Sequence, residues 1–213
     1  MTPASLSRRR VLAGSGLLLL LAACSTTPPP RLFTLAPRPA TPSRSFAATI
    51  AVKRVQLPKY LDRLQIVSYR DPYELQYSEF VIWGENLSDM TTRVLAANLS
   101  ERLPHSQVYL SAGSFADATA DITLEISIDK FDPDPAGVVV LSAQWAAHRQ
   151  GSPDQIRSEQ IRVTPGSKDP TGQVAAMSDA LGQLADRIVA GLPAPAEPST
   201  KPSSTAVPRR KGR

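Results

Sequence analysis

Strict alternation constrains this chain more than any other feature. Ile122, Leu124, Ile126 and Ile128 are separated by Thr123, Glu125, Ser127 and Asp129. A period of two puts the apolar side chains on one face of an extended strand and the polar ones on the other. One buried and one wet face belong to an antiparallel sheet, since strands buried on both faces read as continuous apolar runs. Asp132-Pro133-Asp134-Pro135-Ala136-Gly137 then turns the chain, and Val138–His148 is predicted to return as the hairpin partner.

The same period, weaker, marks further strands at Leu32–Leu35, Ala48–Val55, Leu64–Tyr69, Tyr73–Ile82, Gln107–Leu110 and Ile156–Val163. Two segments change to the helical period. In Glu85–Leu103 a stripe of Leu87, Met90, Val94 and Ala97 is flanked by Leu95, Leu99 and Leu103, with Pro104 just beyond. In Thr171–Leu192, Val174, Met177, Leu181, Leu184 and Ile188 line one face, with Thr171 as the expected cap and Gly191 and Pro193 as the stop. The order β-β-β-β-α-β-β-β-β-α predicts an α+β fold, a mainly antiparallel sheet with two amphipathic helices packed on one face.

The N-terminus reads as an address and an anchor. Arg8-Arg9-Arg10 precedes an apolar run of 13 residues, Val11 to Ala23. That is short of the roughly 18 residues a membrane span needs and suits a secretory signal. It ends in Leu21-Ala22-Ala23-Cys24, the lipobox of lipoprotein precursors. Small residues before the cut suit the peptidase, and the thiol takes a diacylglycerol before cleavage frees its amine. Residues 1–23 are thus expected to be a lipoprotein signal peptide and Cys24 the lipidation site, bearing acyl chains such as palmitate. The Arg run leaves general and twin-arginine export both open. Ser25, where Asp would favour inner-membrane retention, points to the periplasmic face of the outer membrane. Residues 24–30 form a Pro-rich tether, 31–192 the folded domain, and 193–213 a Pro-rich basic tail expected to be disordered.

Cys24 is the only Cys among 213 residues, which excludes a disulfide framework and a multi-Cys metal site. The net charge of +5 resides at the ends. The tail has five basic residues against one acidic, while Cys24 to Pro193 carries 16 basic and 18 acidic residues. A domain without net positive charge has no electrostatic footprint for nucleic acid. No cofactor, metal or catalytic motif is found: G-x-S-x-G, H-E-x-x-H and the phosphate-binding Gly loops are all missing. His105 follows Pro104 in a helix exit, His148 ends a strand beside Arg149, and Asp132 and Asp134 read as turn formers. The chain is not expected to be an enzyme. A tethered hydrolase would need a cleft of convergent titratable groups, which the sequence does not suggest.

Two segments stand apart. Leu57-Pro58-Lys59-Tyr60-Leu61-Asp62-Arg63-Leu64-Gln65-Ile66-Val67 joins an aromatic, an opposite-charge pair and a Pro at a strand connection; Phe80-Val81-Ile82-Trp83-Gly84-Glu85-Asn86-Leu87 runs from strand into helix with Trp at the join. Loop fixing and core packing account for both, yet Tyr, Trp and Arg are also the residues that dominate interfaces. Tyr60, Leu61, Asp62, Arg63 and Trp83 are the candidate partner-binding residues.

With Leu32-Phe33-Thr34-Leu35, Leu57-Pro58-x-Tyr60-Leu61-Asp62-Arg63-x-Gln65-Ile66-Val67, Trp83-x-Glu85-x-Leu87, Arg93-x-Leu95, the strand pair Ile126–Phe131 and Val138–Trp145 and the last helix, the chain resembles the PqiC-like family of ABC-type transport auxiliary lipoproteins. Gly84 and Asn86 stand where the resemblance leads one to expect Ala and Pro. The resemblance implies an auxiliary subunit working with a mammalian-cell-entry (MCE) protein and an inner-membrane permease or ABC transporter. Such systems move phospholipid or other hydrophobic molecules between the inner and outer membranes and support membrane integrity. It also admits a ring-shaped homo-oligomer, which the sequence does not itself show. The alternative is a structural envelope lipoprotein that binds peptidoglycan or an outer-membrane assembly machine, its basic tail on an anionic polymer.

Overall fold

A computed structural model describes residues 29–45, 47–111, 120–149 and 151–193. The signal segment, Cys24, most of the tether and the tail from residue 194 lie outside the described residues. The strands are β1 (Arg31–Phe33), β2 (Thr49–Val52), β3 (Gln65–Asp71), β4 (Glu74–Trp83), β5 (Gln107–Leu110), β6 (Ile122–Pro133), β7 (Val139–His148) and β8 (Gln155–Val163). Among the described residues the helices are α1 (Leu87–Arg102), between β4 and β5, and α2 (Pro170–Gly191), after β8, and a 3-10 turn covers Lys59–Leu61. The element order and the α+β class agree with the sequence pattern.

The strands form two sheets, not one, of order β1-β4-β3 and β5-β2-β6-β7-β8. The hairpins β3-β4, β6-β7 and β7-β8 are antiparallel, as alternation predicts. However, β1 pairs parallel with β4, and β2 pairs parallel with both β5 and β6. The sheets are therefore mixed. Alternation reports which face is wet, not strand direction, and β2 reaches its partners through long connections that a hairpin turn does not constrain. Its Ile50, Ala51 and Val52 are all buried, the continuous run expected of a strand covered on both faces.

Ile122, Leu124, Ile126 and Ile128 face the helices, joined by Phe131, Leu141, Ala143, Trp145 and Ala147 in one core. Across the sheet α1 lies against β5, α2 lies against β7 and β8, and the two helices touch. Arg102 fixes that contact. It is only 3% exposed; its guanidinium donates to the Asp186 carboxylate at 2.6 Å and to the carbonyls of Asn98 and Gly182 at 2.9 and 3.0 Å. Each guanidinium nitrogen meets an acceptor, which makes burial of this charge tolerable.

Both helix starts differ from the sequence expectation. Asp169 caps α2, its carboxylate accepting from the Gly172 N–H at 2.8 Å, and Pro170 opens the first turn. Thr171 is thus inside the helix, since Pro at the first helical position leaves the cap to the residue before it. Asn86 caps α1 by accepting from the Ser88 N–H at 2.9 Å.

Candidate functional site

The 3-10 turn turns the segment's side chains two ways. Leu61 is buried, while Asp62 and Arg63 are exposed. Tyr60 is half-buried, and its hydroxyl donates to Asp132 Oδ2. Asp132 is 1% exposed and accepts a second bond from Lys130 Nζ. That ammonium also donates to Tyr69 Oη at 3.3 Å and lies 4.5 Å from the Tyr69 ring centre. Tyr60, Asp132, Lys130 and Tyr69 form a polar chain that joins the small sheet to β6. Burial, reinforced by the hydrogen bond to Asp132, raises the Tyr60 phenol far above its ordinary range. Burial works against the Lys130 ammonium, but the Asp132 carboxylate outweighs it and the pKa rises.

Asp132 is the residue that sequence reasoning misassigned. Asp134 does form the turn, accepting from the N–H groups of Ala136 and Val138 at 3.0 Å each and pairing with Arg162. Asp132 instead closes β6 and points inward. Neighbouring residues of a strand face opposite sides, so two Asp two apart share a side only while the strand is regular; β6 ends at Pro133, and the turn takes Asp134 out of that alternation.

Trp83 is buried and packs the join between β4 and α1, beside Leu61, Ile66, Leu87, Phe131 and Met177. Its backbone N–H donates to the Leu64 carbonyl at 2.6 Å. Of the five candidate residues, Tyr60, Leu61 and Trp83 therefore hold the segment in place, while Asp62 and Arg63 are presented to solvent. Asp62 Oδ1 accepts from Asn86 Nδ2 at 2.8 Å, Asn86 Oδ1 accepts from Arg54 at 3.3 Å, and Arg54 Nε donates to Asp89 at 2.6 Å. Arg63 lies 3.9 Å from the Tyr77 ring centre, stacked on its face. The outward half of the segment is a preorganised polar and aromatic surface around the start of α1.

A second concave surface lies on the sheet face away from the helices. It encloses about 620 Å³ between Lys53, Gln56, Glu125, Ser127, Gln144 and Ile156. The Lys53 ammonium, paired with Glu125, holds that carboxyl below its usual range against some burial. At the rim, His148 Nδ1 is 2.9 Å from Asp154 and its Nε2 is 3.8 Å from Glu125. Strand pairing brings these acidic neighbours together from distant positions, so the sequence did not show them. His105 is exposed beyond α1. Among the described residues no group of three or more His, Cys, Asp or Glu side chains is placed to hold a metal ion. No described helix is long and apolar enough to cross a membrane.

A family model described as the ABC-type transport auxiliary lipoprotein component matches residues 33–189. No curated protein gives a significant match. Among solved structures, the crystal structure of an uncharacterized protein superposes with a TM-score of 0.63 at 20% identity, covering 76% of this chain and 98% of that one. A Xanthomonas campestris protein of family DUF330 superposes at 0.57 and 18% identity, covering 75% and 92%. At such identities the likeness concerns the fold.

Proposed function

Because the chain belongs to the family of ABC-type transport auxiliary lipoprotein components, we propose that it is a lipid-anchored adaptor of an MCE-type transport system, held by Cys24 at the periplasmic face of the outer membrane. Residues 1–23 are removed on export, 24–30 tether the domain of 31–192, and 193–213 form an appended basic tail. The adaptor receives the periplasmic end of an MCE protein whose inner-membrane permease or ABC transporter drives movement of phospholipid or a similar hydrophobic cargo. Homo-oligomerisation into a ring fits that role.

The observation that carries this reading is the family match across nearly the whole folded domain, placed directly behind Leu21-Ala22-Ala23-Cys24. The family is a transport auxiliary component, not an enzyme family. The physical logic is exposure. Each CH₂ of a lipid carried through the aqueous periplasm costs about 0.8 kcal/mol, and an adaptor that closes the gap between tunnel and membrane removes that cost.

Asp62 and Arg63, outward and held by Asn86 and Tyr77, are the proposed contact residues, supported from behind by Tyr60, Leu61 and Trp83. Capture of the MCE protein from detergent-solubilised envelopes by the full-length lipoprotein tests this. Arg63→Ala is expected to lower capture about tenfold, the equivalent of about 1.4 kcal/mol at an interface anchor, with an unchanged melting curve. Capture equal to wild type, or no MCE protein captured by wild type, contradicts the assignment.

A further inference from the structure

The β3-β4 hairpin ends in a side chain that the fold does not use. Its turn, Asp71-Pro72-Tyr73-Glu74, is set by the Asp71 carboxylate, which accepts from the N–H groups of Tyr73 at 2.7 Å and Glu74 at 3.0 Å. An Arg70–Glu74 ion pair at 3.1 Å braces the strand ends. Such a turn calls for Asp and Pro; nothing in its geometry calls for an aromatic. Yet Tyr73 stands there 97% exposed. Isolated surface hydrophobics are ordinary. Here, however, Leu32, Leu64, Tyr73, Tyr77 and Phe80 are all exposed on or beside the small sheet, against only Leu110 and Ile156 among the large hydrophobic side chains of the rest of the described chain.

Of these Tyr73 alone stands at the hairpin tip, since Leu32 and Leu64 lie level with Ile82 and Trp83 at the other end of β4, and it is the tether that singles out the tip. β1 runs parallel to β4, with Arg31 opposite Val81 and Phe33 opposite Trp83. The chain before Arg31 therefore leaves β1 toward the hairpin tip. From Val81, opposite Arg31, to Glu74, opposite Asp71, the tip stands seven residues beyond the start of β1, about 23 Å. Cys24 is seven residues before Arg31, a reach of at most about 25 Å. A fully extended tether thus spans the distance from β1 to the tip, which puts an anchor at Cys24 within reach of the tip's level.

We propose that the hairpin tip, led by Tyr73, docks into the interfacial layer of the bilayer that holds the Cys24 acyl chains. The inference rests on acylation of Cys24. Tyr suits that layer, with an apolar ring and a hydroxyl that stays wet. The tip leaves one charge over: Arg70 and Glu74 offset each other, and the Asp71 carboxylate is hydrogen-bonded by the turn's own N–H groups. Because the acyl chains make the second contact intramolecular, a single weak aromatic contact is enough to hold an orientation.

The two tryptophans of the chain are both buried, so a tip indole can be read by difference. Full-length mature Tyr73→Trp lipoprotein is reconstituted into vesicles of mostly phosphatidylethanolamine with some phosphatidylglycerol, and its emission compared with wild type. The added emission is expected to shift to shorter wavelength and to be quenched by lipids brominated along the acyl chain. Ile156→Trp, at an exposed position of the far sheet, is expected to show neither effect. Co-flotation with vesicles but no shift or quenching at the tip overturns the docking and leaves the anchor standing. Equal quenching at both positions overturns the orientation. A tip shift that appears without vesicles as protein concentration rises assigns the patch to a second copy and overturns the proposal. Failure of the wild-type protein to co-float removes the anchor and the inference with it.

Discussion

At Asp132 the chain buries a carboxylate and surrounds it with a phenol and an ammonium. The arrangement has a consequence at alkaline pH. Tyr60 and Lys130 both hold their protons more tightly in the folded state than in the unfolded chain. Once pH passes their unfolded values near about 10, the folded state binds more protons than the unfolded one, so stability falls with rising pH. Below those values the contribution is fully present. Tyr60→Phe removes one donor to a buried carboxylate and is expected to cost about 1–3 kcal/mol at neutral pH. Urea unfolding across pH 7 to about 11 checks both points: wild type should lose stability at the alkaline end, and Tyr60→Phe should lose less there. A variant as stable as wild type at neutral pH would show that the Asp132 network does not brace the 3-10 turn. Arg63, by contrast, is exposed and lays its guanidinium on the Tyr77 face, and Tyr77 itself lies at the surface. This is why a binding defect in Arg63→Ala can be separated from a folding defect, and one in Tyr60→Ala cannot.

Among the elements, the β6-β7 hairpin and the start of α1 carry the sharpest expectations. Burial opposes the charged form of Asp134, yet the N–H groups of Val138 and Ala136 and the Arg162 guanidinium together hold its pKa below the usual value. That stabilisation is present above the unfolded value near about 4 and is lost as pH falls through the folded one. Asp134→Asn should therefore show a shallower loss of stability on acidification, measured by thermal melts between neutral and acid pH; an acid limb as steep as wild type contradicts it. Asn86→Ala removes the cap of α1 and its bonds with Asp62 and Arg54, and is expected to cost about 1 kcal/mol in denaturant unfolding. It should also weaken partner capture, since Asp62 loses its orienting donor. The elements were largely legible in the sequence because burial imposes period two or 3.6 wherever one face is wet. Ile122 to Ile128 and the stripe of α2 are the clear cases. The pairing of β2 with β5 and β6 was not legible, because parallel neighbours meet through long connections and leave no turn signature. The site was half legible. Residue type marked out Tyr60 to Arg63 and Trp83, but which of them face inward depends on a 3-10 turn that no periodicity announces. Asp132 was hidden by its resemblance to Asp134, two residues on in a Pro-rich turn.

For the whole molecule, the two sheets have separate tasks. The five-stranded sheet and both helices enclose the core, with Arg102 joining helix to helix. The three-stranded sheet and its border carry most of the exposed apolar side chains, the emergence of the tether and, next to it, Asp62 and Arg63 at the head of α1. In the proposed arrangement the membrane contact and the partner contact lie on this smaller sheet and its border, while the large sheet acts as scaffold. All of this presumes that the domain is fastened to a bilayer through one sulfur. Metabolic labelling with radioactive palmitate, comparing wild type with Cys24→Ser, tests that presumption most directly. The account predicts that label enters the wild-type band, which fractionates with membranes, and that Cys24→Ser remains unlabelled and unprocessed. An unlabelled wild-type protein recovered free of membranes, or equal labelling of Cys24→Ser, would contradict it.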